Sequence, residues 1–452
     1  MTQAPDLSFS TNLRQLCEWA TTFSARELPE SVQRRAASVL ADDIAAMLAG
    51  ADEPEVRRYR ERVLGRPTMA ESTVFAAGLP RADRMQAASL NAFAGTWCEL
   101  DEGFRLAICH AGIYVLPALL AEASAEGLRV ADVRRALALA YEVVTRLAMA
   151  TRHPTPVIHG HALWAAVGAA AGLVLARHGD ADTLFRAITA AATTASLGPR
   201  RHLAEGVLIR NGWAAAGAVN GMQCADWADA GVGGSGSGIP AIHRDILGAT
   251  LAPEALNAHL GSRWSILSGY QKVHACCQHG HAAVEAALDL VPGLDLDRIA
   301  RIDVATHPLA LTLPNPEPAT TLGAKFSLPH MVAAALVYGH AGASAFSSAS
   351  LEDPRVRALR QLVRLQPWTG PLQAPHDRPA RITLVLHDGS RRTAECLSSL
   401  GSPDRPLPHA VFVAKVDALC KDVLPGLSRV LLDEGPAHDA ITWDAAVRLA
   451  AS

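Results

Sequence analysis

The chain has 452 residues, 50% of them hydrophobic and 19% charged, with a formal net charge of −3 at pH 7. This composition excludes disorder as the main state, which needs few apolar side chains and a high net charge. A pI near 6.7 leaves no global basic field for nucleic acid, and at roughly 100–200 residues per domain the length fits two or three domains.

The opening stretch, MTQAPDLSFSTNLRQLCEW, is polar and mixed and lacks the basic-then-apolar order of a leader. Helix after helix is then predicted: Ser31 to Leu48, Arg81 to Gly95, and Leu116 to Glu126 with Pro117 in its first turn. Asp132 to Met149 follows, ending before His153-Pro154. HALWAAVGAAAGLVLA, at the start of a helix from His161 to Arg177, is too short to cross a membrane and reads as a buried core helix. Asp182 to Ala195 and Asn211 to Ala228 continue the pattern, and GVGGSGSGIP at 231–240 reads as a flexible loop.

After about residue 268 the pattern changes. His279 to Leu290 is predicted helical, Arg298 to Thr306 alternates with period two and reads as a strand, and Met331 to Tyr338 is a short helix. Arg381 to Leu386 and Arg391 to Cys396 read as strands joined at Asp388-Gly389, a hairpin signal. Helical character returns from about 409. The expected fold is mainly α: a large all-helical domain (1–268 with 405–452) and a smaller α+β lid domain (269–404). The eight cysteines form no spaced framework, so a reduced, cytoplasmic chain with no membrane segment is expected.

Four segments could carry chemistry. Glu99-Leu100-Asp101-Glu102, followed by Cys109-His110, sets carboxylates near a histidine, as an acid–base pair or as a solvated acidic turn. Ile158-His159-Gly160-His161 opens the apolar helix, where free backbone N–H groups suit a carboxylate ligand and tend to hold a histidine neutral, or where the histidines merely cap. Gly198-Pro-Arg-Arg-His202, with Arg210-Asn211-Gly212 beyond it, offers guanidiniums for bidentate carboxylate pairing or an exposed basic loop. Tyr270-Gln-Lys-Val-His-Ala-Cys-Cys-Gln-His-Gly-His281 is rich in His and Cys, yet its spacing matches no closed zinc pattern, so no metal is expected. Only four lysines occur in the chain, Lys272, Lys325, Lys415 and Lys421, which draws attention to Lys272 beside Tyr270. No P-loop, dinucleotide fingerprint or nucleophile elbow is present.

Together these segments resemble the MmgE/PrpD family over roughly residues 13 to 425. The family's acidic cluster, H-P/A and V-L-P-A-L motifs correspond to Glu99–Glu102, His110-Ala111 and Val115–Leu119. Its G-W-H-P-T helix start corresponds to the segment from Ile158 to Ala170, broken after His159, and its K-P-x-H segment to Arg201–Ala204, where Arg201 replaces the lysine and Ala204 the histidine. Its lysine before a cysteine and a histidine corresponds to Lys272, Cys277 and His281, and A-K-F-S-L-P to Ala324–Pro329. The resemblance implies a homodimer with cofactor-independent chemistry on small polycarboxylates, of which 2-methylcitrate dehydratase, cis-aconitate decarboxylase and iminodisuccinate epimerase are known examples. It implies Asp101, His110, His159 and Lys272 as catalytic residues and Arg201, His161, Tyr270 and Lys325 as substrate-binding ones. The expected activity is a lyase in which a neutral histidine, His159 foremost, takes a proton next to a carboxylate. An epimerase and a catalytically silent binding protein are the alternatives.

Overall fold

The computed structural model describes residues 7–154, 157–433 and 435–452; the first six residues of the opening stretch lie outside it. The helical part begins with α1 (Leu7–Ala20), α2 (Glu30–Ala51) and α3 (Pro54–Leu64), followed by α4 (Arg84–Gly95), α5 (Ala111–Glu126), α6 (Val130–Ala150), α7 (Gly160–Ala176), α8 (Ala181–Thr193) and α9 (Ile209–Asp229). The α+β part comprises α10 (His281–Leu288), β1 (Ile299–Thr306), α11 (Leu328–Tyr338), α12 (Pro354–Leu362), β2 (Val363–Pro367), β3 (Ala380–Leu386) and β4 (Arg391–Cys396). The chain then returns through α13 (His409–Cys420) to α14 (Trp443–Ala451). The protein is mainly α with a smaller α+β domain.

Helix α7 is the axis of the helical part. Every one of its residues is buried, and α5, α6, α8 and α9 surround it. Small residues allow the close approach. A Cβ on Gly217 of α9 would lie 2.5 Å from the Ala165 Cβ, and one on Gly221 would lie 2.4 Å from the Ala166 carbonyl oxygen. No helix among the described residues is long and apolar enough to cross a membrane.

The sheet runs β4-β3-β1-β2, antiparallel except for the parallel β1–β2 pair. Alternation places Ile302, Val304, Ile382 and Leu384 at 0% exposure, and α10 covers the β3 and β4 side. Gly389 takes a positive φ of 81° in the β3–β4 turn, the left-handed region that glycine enters without a Cβ clash. Two apolar clusters result. One joins α1–α9 to residues of 407–450; the other joins 275–396 to Trp97, Cys98 and Leu100 at the end of α4.

Several elements differ from expectation. Helix α5 starts at Ala111, so Pro117 lies inside it. Arg81-Ala82 pairs with Ser72-Thr73 in a short ladder, and α4 begins only at Arg84, after Asp83 accepts the Gln86 N–H as its cap. Residues 238–246, at the end of the glycine-serine run, are helical.

Candidate active site

The segment after α4 turns sharply. Glu99 sits at φ 54°, a conformation costing a non-glycine residue roughly 1–2 kcal/mol. The turn sends Glu99 and Asp101 inward, at 2% and 0% exposure. It is held from below: the Asp43 carboxylate accepts the Glu102 N–H at 3.0 Å, and Lys415 donates to Asp42 at 2.6 Å and to the Leu100 carbonyl at 3.2 Å. From the other side, Gly103-Phe104 pairs with Gly269-Tyr270. Gly103 is required there, since a Cβ would lie 2.2 Å from the Tyr270 hydroxyl.

The Lys272 Nζ lies 3.2 Å from Glu99 and 3.1 Å from Asp101, and Arg210 lies 2.5 Å from the other Glu99 oxygen. Burial opposes the charges on both Asp101 and Lys272. Their mutual attraction, with His110 beside Asp101 and Glu99 beside Lys272, outweighs it, holding Asp101 well below the usual carboxylate range and Lys272 above the usual lysine value. The His110 Nδ1 lies 2.7 Å from Asp101 Oδ2 and donates to the Glu102 carbonyl at 2.9 Å. With Nδ1 so engaged, Nε2 is the nitrogen left for a substrate.

His159 caps α7. Its Nδ1 accepts the His161 N–H at 3.1 Å, so in the neutral ring the proton resides on Nε2. Burial, then the charge of Arg210, pushes its pKa well below the ordinary value and keeps the ring neutral. The segment is tied to the next loop: His159 N–H donates to the Gly198 carbonyl at 3.0 Å and Arg200 N–H to that of Val157 at 2.8 Å. That clamp puts His159 and Arg200 on one rim.

These groups line a cavity of about 250 Å³, where Glu99, His110, His159, Arg210, Tyr270 and Lys272 are joined by Arg378, Gln278, His279 and Cys277. Asp101 stands directly behind, within ion-pair distance of His110 and hydrogen-bonded by Lys272. Three expected contacts are placed differently. Arg201 reaches only the rim, with its side chain 78% exposed and 3.6 Å from Glu205. Its neighbour Arg200 also lines the cavity and has no ion pair among the described residues. His161 is fully buried behind the wall, 2.9 Å from the Tyr114 hydroxyl. Lys325, also buried, donates to the Trp97 carbonyl at 2.9 Å and fastens the α+β domain to the end of α4.

Arg210, Arg378 and His279 are ionisable lining residues to which the sequence alone assigned no role. Arg210 carried a signal, a basic residue before Asn211-Gly212; Arg378 lies in an irregular loop with none. The His/Cys stretch is dispersed: His279 faces the cavity, while His281 turns away, donating to the Cys276 carbonyl at 3.1 Å, with the His274 ring 5.1 Å from its own.

Residues 14–241 match the model of the MmgE/PrpD N-terminal domain and residues 274–431 that of the MmgE/PrpD C-terminal domain. Among curated relatives, the chain is 24% identical over 448 residues to "Cis-aconitate decarboxylase" of Aspergillus terreus, covering 90% of this chain and 89% of that protein. It is 27% identical over 417 residues to "Cis-aconitate decarboxylase-like protein oryM" of Aspergillus oryzae (strain ATCC 42149 / RIB 40), covering 83% of each. With both domain models matched in order over most of its length, the chain belongs to the MmgE/PrpD family.

Proposed function

We propose that the protein is a cofactor-independent lyase that releases CO₂ or water from a small di- or tricarboxylate by moving a proton next to a carboxylate. The carrying observation is the Asp101–His110 pair facing a cavity in which a second histidine, His159, is held neutral with its N–H free. The names of the two fungal relatives support the decarboxylase branch.

The hydrogen bonds divide the roles. His110, with Nδ1 held by Asp101, offers the Nε2 lone pair as general base, and the carboxylate stabilises the imidazolium that forms, as in the histidine–aspartate part of a catalytic triad. His159 offers Nε2–H instead. It is a donor to the oxygen on which charge builds, comparable to the neutral imidazole that polarises a carbonyl in triosephosphate isomerase. The expectation that His159 is the base is therefore replaced by His110. In a dehydration, His110 takes the α-proton and returns it to the departing hydroxyl. In a decarboxylation, the His110 imidazolium protonates carbon as the C–C bond to the carboxylate breaks and CO₂ leaves.

The test is incubation in D₂O with cis-aconitate and with hydroxylated tricarboxylates, followed by mass spectrometry and NMR. Loss of CO₂ or water with deuterium at carbon supports the lyase. Exchange with neither loss makes the protein an epimerase, and no exchange with any substrate leaves a binding protein.

A further inference from the structure

The cavity contains more positive than negative charge, and the excess lies away from the acidic turn. At the acidic turn, Lys272 and Arg210 face Glu99 and Asp101, all four almost completely buried and joined by contacts of 2.5–3.2 Å. Two cations meet two carboxylates, and Lys272 reaches both of its partners. Little capacity is left there for a substrate anion.

The opposite side is different. Arg378 and Arg105 share one carboxylate, Asp377, which lies 2.5 Å from Arg105 and only 3.9 Å from the Arg378 Nε. Arg378 otherwise donates to the Gln278 amide oxygen and, at 3.4 Å, to the Arg105 carbonyl, both neutral acceptors. Its side chain is 15% exposed and lines the cavity. Arg200 comes from the helical domain and lines the same cavity without an ion pair among the described residues. Three guanidiniums are thus served by one carboxylate. Beside them His279 carries a buried Nδ1 with no hydrogen-bond partner among the described residues. Guanidiniums gathered at a partly enclosed site and left unneutralised repel one another, and a carboxylate is the planar partner their donors fit.

We propose that Arg378 and Arg200, with the buried, unpartnered His279 Nδ1 beside them, form the carboxylate subsite. Resting on the lyase reading above, this orients the substrate: its non-reacting acid groups lie against Arg378 and Arg200, and its reacting carbon points to His110 and His159. Lys272 is then a positioning residue that holds Asp101 and Glu99 and not a substrate contact. Because Arg378 belongs to the α+β domain and Arg200 to the helical domain, the bound acid bridges the two.

The experiment is calorimetric titration with propane-1,2,3-tricarboxylate, which has no leaving group and needs no turnover, and with butanoate as the single-carboxylate control. A charged hydrogen bond contributes about 1.5–3 kcal/mol, so Arg378→Gln and Arg200→Gln should each weaken tricarboxylate binding by roughly 10- to 100-fold. Arg378→Lys should recover part of the loss, and butanoate should bind weakly to every variant. Arg200→Gln, on a partly exposed turn, guards against loss of folding, checked by thermal unfolding. Folded variants that bind the tricarboxylate like the parent overturn the subsite. So does a parent protein that binds it no tighter than butanoate. Tight, arginine-dependent binding without turnover of any acid leaves the subsite standing and removes the lyase.

Discussion

The two sides of the cavity use the same residue types to opposite ends. Around the acidic turn Lys272 and Arg210 both have their carboxylates, and the network fixes where Asp101 and, through it, His110 stand. On the other side arginines outnumber acids. Paired buried charges hold geometry, and breaking one pair by removing a partner costs about 3–5 kcal/mol because the other charge is left stranded. Unpaired cations at a cavity edge contribute little to the fold and remain available to a ligand. A cationic residue in an active site is therefore not evidence of substrate contact until its own partners have been counted.

The largest expected effect breaks the helical side chemically. His110→Gln should lower kcat by roughly 10²–10⁴-fold, the range of a general base. His159→Gln keeps an N–H donor and should lose about 10-fold or less, whereas His159→Ala loses about 10²–10³-fold, as for a removed oxyanion donor. Equal losses for the two glutamine variants in steady-state assays would reverse the division of roles. Next is stability. Lys272→Met should destabilise by about 3–5 kcal/mol in urea titration, against about 0.5 kcal/mol for Arg200→Gln; similar values would erase the distinction between the two sides.

A smaller effect concerns Glu102, whose carboxylate accepts the Gly112 N–H at 2.8 Å and the Tyr141 hydroxyl at 3.1 Å. Burial raises its pKa from 4.5 to about 7 despite those donors and Arg35. A raised folded-state pKa contributes stability that is present below 4.5 and is lost as pH rises through about 7. Measured relative to Glu102→Gln, which has no such proton to lose, the parent should weaken between pH 4.5 and about pH 7 and level off above that. A flat difference would show that Glu102 does not titrate there. The comparison with the variant is needed because buried neutral histidines such as His159 and His281 act oppositely, weakening the fold as pH falls. The smallest change is expected for Arg201→Gln, about five-fold or less in KM, because an exposed side chain with an ion pair of this kind contributes at most about 1 kcal/mol.

Much of this was legible in the sequence where periodicity speaks. The Ala- and Gly-rich run from Gly160 became a fully buried helix, and Asp388-Gly389 became the β3–β4 turn. Strand β2 was not legible: Val363–Pro367 alternates for only four residues, runs straight on from α12, ends in proline and is specified by parallel pairing to β1. The start of α5 was obscured by Pro117, which ordinarily marks a first turn. Asp101, His110, His159, Tyr270 and Lys272 could be singled out because each lies in a recognisable segment, and the structure gathers them. Arg200 and Arg201 could not be told apart, since adjacent residues on a single 3₁₀ turn face different ways. Arg378 and His279 reach the cavity only through the tertiary fold.

The return of the chain to the helical core has a consequence for synthesis. Trp443 N–H donates to the Leu128 carbonyl at 2.7 Å, and Val130 N–H to that of Ile441 at 3.1 Å; Trp443 itself is 1% exposed. On a ribosome, which releases domains N-terminus first, the first helices emerge long before the residues that seal them. The contiguous apolar cluster of 275–396 is complete while that seam is still open. A nascent chain therefore carries an unfinished helical surface until the whole α+β region has been made, and α14 closes helices begun about 300 residues before it.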